Sequence, residues 1–306
     1  PLRLVGSEMC IRDSYCRPDA TDAGRRTGFG RGMATRTMNS PSASAQTPLQ
    51  KLRVVLEMIK IEHTLFALPF AFTGAILAAN GLPTLWQCFW ILVAMVGARS
   101  AAMAFNRLID RNFDAKNPRT AQRAIPAGLV SVPFVLGFTI AATGIFLLAA
   151  FELNQLTLIL SPLALAIVFF YSYTKRFTAW SHAFLGLALA VAPVGAWIAV
   201  RGDLELAPLA LGAAVVCWLI GFDTIYALQD VDFDRQAGLY SLPTRYGATN
   251  ALWIARAFHA LMILCLIALG MIEGLGVCYY VGVAVAAVLI LAEHILIRPD
   301  DLRLSL

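Results

Sequence analysis

Two nine-residue stretches hold the residues best suited to chemistry: Asn106-Arg107-Leu108-Ile109-Asp110-Arg111-Asn112-Phe113-Asp114 and Tyr226-Ala227-Leu228-Gln229-Asp230-Val231-Asp232-Phe233-Asp234. Each presents two aspartates four residues apart, Asp110 with Asp114 and Asp230 with Asp234, and each places Asn106 or Tyr226 four residues before the first. On a helix, positions i and i+4 share a face about 6 Å apart. Two carboxylates held that way repel each other unless a cation lies beside them. The shared Asp-x-x-Phe-Asp is an internal repeat of chemistry. Four carboxylates at two helix ends point to hard cations, and Mg2+ is the best match because it takes oxygen ligands and brings substrate phosphates as further ligands. The plain alternative, solvated aspartates at helix ends, is reasonable for one such pair and poor for two on the same membrane face.

The elements that must position these residues are membrane helices. The chain has 306 residues, 59% hydrophobic and 14% charged, with a mean hydropathy of +0.70, whereas soluble domains run near ~25% charged. The fold class expected is an all-α polytopic transmembrane bundle. Spans are expected at about 61–79, 86–109, 132–151, 156–173, 180–200, 206–228, 251–272 and 275–297, each near the ~20 residues that cross ~30 Å of hydrocarbon. The pI of about 9.0 reflects loop charge and not a nucleic-acid partner. Six cysteines without a Cys-x-x-Cys support neither a disulfide framework nor a zinc site. Residues 1–50 read as a disordered or non-native tail, with 5–14 resembling translated adaptor sequence, and 51–306 as the transmembrane domain.

Loop charge orients the bundle. Connections near 80–85, 152–155 and 273–274 carry no Lys or Arg, and 201–205 carries one. The alternate loops carry Arg111, Lys116, Arg119 and Arg123, then Lys175 and Arg176, then Arg235 and Arg245. The positive-inside rule places these in the cytoplasm, with both acidic stretches on one side. A diphosphate carries up to three negative charges, so Arg123 and Lys175 are candidate phosphate ligands. Arg176 reads as plain topology decoration, Arg245 fits either role, and Glu62 and His63 read as interfacial. Two charges lie within the spans. Arg99 precedes Asn106 by seven residues, and Asp223 precedes Asp230 by seven, which sets each ~10 Å deeper on the same face. They make either a buried network between two spans or the floor of a pocket that orients a polar acceptor.

At these residues the chain resembles the UbiA superfamily of intramembrane aromatic prenyltransferases, over roughly 52–306. The resemblance is carried by Asn106-Arg107-x-x-Asp110-x-x-x-Asp114, by Tyr171-x-x-x-Lys175, and by the 226–235 stretch with Gly238-Leu239-Tyr240-Ser241-Leu242-Pro243. Within the superfamily it is most similar to the 4-hydroxybenzoate polyprenyltransferase group, including homologues of the futalosine route to menaquinone. The resemblance implies Mg2+-dependent transfer of a polyprenyl group from its diphosphate to an aromatic acceptor in quinone biosynthesis. It implies Asp110, Asp114, Asp230 and Asp234 as catalytic metal ligands together with Asn106. Taken with the charges and spacings above, Arg123, Tyr171, Lys175, Arg99, Asp223 and Tyr226 are the expected substrate contacts, and the site is expected to face the cytoplasm from a bacterial inner membrane. The family fold has nine transmembrane helices against the eight counted here, so a C-terminal truncation near 298–306 is expected. Haem or chlorophyll prenylation and lipid etherification are alternatives within the superfamily. A cation- or proton-linked transporter is disfavoured, because the acids gather on one side. A CDP-alcohol phosphotransferase lacks its Asp-Gly…Ala-Arg…Gly…Asp pattern here.

Overall fold

In hydrocarbon a backbone has no hydrogen-bond partner but itself, and the apolar runs accordingly form helices. A computed structural model describes residues 47–59, 64–116, 120–174 and 176–297. The readings made for 1–46, Glu62, His63, Arg119, Lys175 and 298–306, and for the side chains of Asp230 and Asp232, fall outside the described residues. The described residues form α1 (Pro48–Met58), α2 (Thr64–Ala79), α3 (Leu85–Asp114), α4 (Val132–Leu153), α5 (Gln155–Thr174), α6 (Ser181–Arg201), α7 (Leu206–Ala227), α8 (Val231–Ala237), α9 (Leu242–Tyr246), α10 (Ala248–Ile272) and α11 (Val277–Leu296). A 3-10 turn, Leu228–Asp230, joins α7 to α8, and no strand is present among the described residues.

Seven of these helices, α3 to α7 with α10 and α11, are long and apolar enough to cross a membrane. The first expected span appears as α2, a shorter helix of 16 described residues. Outward side chains such as Ile140, Phe151, Leu264 and Val288 are more than 60% exposed, the surface a bilayer covers.

Helix α3 has 30 residues, or ~45 Å at 1.5 Å per residue, against ~30 Å of hydrocarbon. A capping box at Thr84 and Gln87 starts it, and its last turns carry Asp110 and Asp114 beyond the apolar zone. The second acidic stretch is built differently. Helix α7 ends at Ala227, and the backbone tightens through 228–230 before α8 resumes. A 3-10 turn advances ~120° per residue rather than ~100°, so Tyr226 and Asp230 do not keep the regular helical register that Asn106 and Asp110 share.

Helix α1 belongs to the same end of the bundle. Thr47 and Gln50 form a capping box with Pro48 in the first turn. Val55 and Ile59 are buried against Ala104, Leu108, Ala124, Val130 and Val135. This pins the connection between α3 and α4, which carries Arg123. At the opposite end α4 and α5 are separated by Asn154 alone. Its Oδ1 accepts the Thr157 N–H at 2.8 Å, and its Nδ2 donates to the carbonyls of Ile198 and Ala199 at 2.7 and 3.1 Å.

Small residues let the helices approach closely, as in other membrane bundles. Gly74 of α2 lies against the backbone of Pro193 in α6. At Gly97 of α3 an added Cβ would come within 2.9 Å of the Phe146 amide nitrogen and 3.1 Å of the Ala142 carbonyl oxygen. Gly97→Val is therefore expected to destabilise the bundle by roughly 1–3 kcal/mol. Gly144→Val, with open space around that position, should change little. Thermal unfolding in detergent checks this, and equal melting shifts for the two variants would refute the close-approach argument.

Candidate active site

The C-terminal ends of α3 and α5 meet at the first acidic pair. Arg176, two residues past α5, donates through Nη2 to Asp110 Oδ1 at 2.8 Å and to the Ile109 carbonyl at 3.1 Å. Its guanidinium also lies over the rings of Phe113 and Tyr173, 4.8 and 5.5 Å from their centroids. Asn106 Nδ2 donates to the other Asp110 oxygen at 3.1 Å. Asp114 receives Arg123 Nη1 on Oδ1 at 2.7 Å, and Thr120 Oγ1 donates to its carbonyl at 3.1 Å. Each carboxylate of the pair thus has its own guanidinium, which offsets the repulsion that i,i+4 spacing creates. The four charged side chains are partly buried, from 9% exposed at Asp114 to 35% at Arg123.

Below this charged end lies a cavity of about 480 Å³ enclosed by α3, α4, α5 and α6, with Ala67 and Leu219 from α2 and α7. Its lining is chiefly alanine, leucine, valine and isoleucine, interrupted by Arg99, Asn106, Thr157, Ser161 and Tyr171. The Nε of Arg99 is buried and has no hydrogen-bond partner among the described residues. A buried guanidinium with an unused donor lacks what normally repays its desolvation.

Of the residues singled out from the sequence, the structure gathers Asn106, Asp110, Asp114 and Arg123 at this end. It places Arg99, Asn106 and Tyr171 in the cavity wall. Asp223 does not line the cavity; its Oδ2 lies 2.5 Å from Nδ1 of His182 in α6. Tyr226 is 44% exposed at the end of α7. The backbone of Asp230 closes the 3-10 turn, and Asp234 is half-buried in α8. Because α3, α5 and α7 cross in the same direction, their C-terminal ends, and both acidic stretches, lie on the same side.

Two residues were not foreseen in these roles. Arg176 carries the same positive charge as any cytoplasmic loop residue, so charge counting does not separate it from topology decoration. His182 offers only a histidine beginning an apolar run, and its partners lie 41 and 60 residues away. Among the described residues no three His, Cys, Asp or Glu side chains group closely enough to form a metal site on their own. A Mg2+ ion, however, needs only one or two protein carboxylates when phosphate oxygens and water complete its octahedron. Asp110 and Asp114 already face cationic groups at charge-assisted distances, and an all-oxygen set with Asn106 fits that ion.

Residues 67–305 match the family model described as the UbiA prenyltransferase family. The 4-hydroxybenzoate octaprenyltransferase of Nitrosospira multiformis is 33% identical over 228 residues, covering 74% of this chain and 78% of the relative. That of Vibrio parahaemolyticus is 32% identical over 264 residues, covering 85% and 89%. A solved structure, the apo form of a UbiA homologue from Aeropyrum pernix K1, matches with a TM-score of 0.72 at 36% identity over 80% of this chain and 92% of its own. A UbiA homologue from Archaeoglobus fulgidus bound to GPP and Mg2+ matches with a TM-score of 0.61 at 18% identity, over 80% and 87%, which speaks to the fold.

Proposed function

This chain belongs to the UbiA prenyltransferase family, and we propose that it transfers a polyprenyl group from its diphosphate to a 4-hydroxybenzoate-like aromatic acceptor in quinone biosynthesis. We place the reaction at the cytoplasmic face of a bacterial inner membrane, with Mg2+ as the cofactor. The observation that carries this reading is an apolar cavity with a buried, under-bonded arginine in its wall, reaching at Asn106 to a carboxylate pair. Such a site suits a molecule with a greasy part, an anionic part and a diphosphate.

Asn106, Asp110 and Asp114, with Asp230 and Asp234 from the second stretch, would hold the metal. Bound Mg2+ would neutralise the charge that develops on a departing diphosphate. Arg123 and Arg176, once released from the carboxylates, can turn to phosphate oxygens with the bidentate geometry that arginine offers; Lys175 adds a point charge. The allylic C–O bond breaks with both electrons leaving on the diphosphate, a carbon of the ring forms the new C–C bond, and the ring proton passes to the released diphosphate. The alanine and leucine walls keep water from the allylic carbon in between. Arg99 takes the carboxylate of the acceptor and sets the ring beneath the charged end.

Inverted membrane vesicles tested with labelled polyprenyl diphosphates, a panel of aromatic acids and Mg2+ are expected to yield a prenylated aromatic acid by mass spectrometry of the lipid extract. Chelation by EDTA should stop the reaction, and sealed right-side-out vesicles should not catalyse it until permeabilised. Product from sealed right-side-out vesicles would overturn the cytoplasmic placement, and product in EDTA would overturn the metal assignment.

A further inference from the structure

His182 stands in the first turn of α6 with its side chain 2% exposed. Its Nδ1 is 2.5 Å from Asp223 Oδ2 in α7. Its Nε2 faces the backbone nitrogen of Leu242 at 3.5 Å. That nitrogen is an obligatory donor, so Nε2 must be the bare acceptor. The ring proton then sits on Nδ1 and is donated to Asp223. One neutral imidazole therefore makes both bonds. Leu242 opens α9, where amide N–H groups have no partner within the helix. Its side chain is fully buried, so water is a poor substitute.

Asp223 and Leu242 are 19 residues apart. Between them run the last turn of α7, the 3-10 turn, α8 and the connection that turns at Gly238 (φ 66°). This is the segment that carries Asp230 and Asp234. Helix α8 has seven residues, too short to hold its own geometry without tertiary support. With both ends tied to one ring, the segment loses the freedom of an open loop of that length.

We propose that His182 is a positioning residue, which holds the second acidic stretch in place by joining Asp223 to Leu242. It does not touch the reacting atoms, since it is buried outside the cavity wall. The consequence for catalysis rests on the functional reading above; the clamp itself does not.

The test is hydrogen exchange on the full chain in detergent, comparing wild type with His182→Ala and His182→Asn. Loss of both bonds, one of them to a charged group, should speed exchange across 228–242 about tenfold or more in His182→Ala, with 100–114 little changed. Asparagine can present an N–H where Nδ1 stands but has no atom that reaches Leu242, so His182→Asn keeps only the Asp223 end and 228–242 should exchange nearly as fast as in His182→Ala. Mn2+ with inorganic pyrophosphate, followed by electron paramagnetic resonance, should bind about tenfold more weakly to His182→Ala, while KM for the aromatic acceptor stays level. Unchanged exchange across 228–242 in His182→Ala, equal loosening of 100–114, or wild-type protection of 228–242 in His182→Asn would each overturn the clamp. A wild-type chain that binds no Mn2+ and pyrophosphate would overturn the functional reading instead, and the exchange comparison would still decide the role of His182.

Discussion

Asp110→Asn and Asp230→Asn are each expected to lower prenyl transfer more than a hundredfold, about 3 kcal/mol or more of lost transition-state stabilisation. Asparagine keeps the shape and a carbonyl oxygen but removes the charge that would hold a metal against a diphosphate. The structure indicates why the first variant should still fold. The Asp110 side chain takes Arg176 on one oxygen and Asn106 on the other, and an asparagine oxygen can keep the arginine bond. Arg176 also rests on Phe113 and Tyr173, so it is not left unsupported. If both acidic pairs serve one diphosphate, the double variant should be scarcely worse than either single one, because residues that act as a unit are not additive. Turnover in inverted vesicles, normalised to folded protein, is the measurement. Full activity with either pair neutralised would show that the pairs do not form one site.

Arg99→Leu is expected to raise KM for a carboxylated acceptor by tenfold to a hundredfold, roughly 1.5–3 kcal/mol for a lost bond to a charged group. KM for the prenyl diphosphate should stay near wild type, because the acidic pair lies at the far end of α3, 11 residues on. Stability should not fall with it. Leucine fills an apolar wall without the desolvation cost of a guanidinium whose Nε has no partner among the described residues. Steady-state kinetics with each substrate varied in turn, alongside a melting curve, decide it. Equal losses for both substrates would mean that Arg99 supports the cavity and does not read the acceptor.

The parts of this molecule that were legible in the sequence are those where composition and position disagree. Asp110 and Asp114 stand out because they end a long apolar run, and Arg99 because it interrupts one. Seven expected spans match α3 to α7, α10 and α11 to within a few residues, since apolar runs of that length with so few charges have few other solutions. Tertiary pairing was not legible. Asp223 has the same seven-residue offset as Arg99, yet it meets His182, because α7 packs on α6 closely enough to bring Gly186 against Val216. The tightening at Leu228–Asp230 has no glycine or proline to announce it. Arg176 differs from a topology charge only by where α5 ends relative to α3, which no local pattern encodes.

The one-residue connection at Asn154 bears on how the chain enters the bilayer. With a single residue between α4 and α5, the two helices are short-linked enough to insert as one hairpin. Its tip arrives with the Asn154 Nδ2 group still without its partners, because the carbonyls of Ile198 and Ala199 lie at the end of α6, synthesised 44 and 45 residues later. The hairpin is thus completed only when α6 docks, making α4 to α6 a natural unit of co-translational assembly and building the larger part of the cavity wall before the second acidic stretch is made.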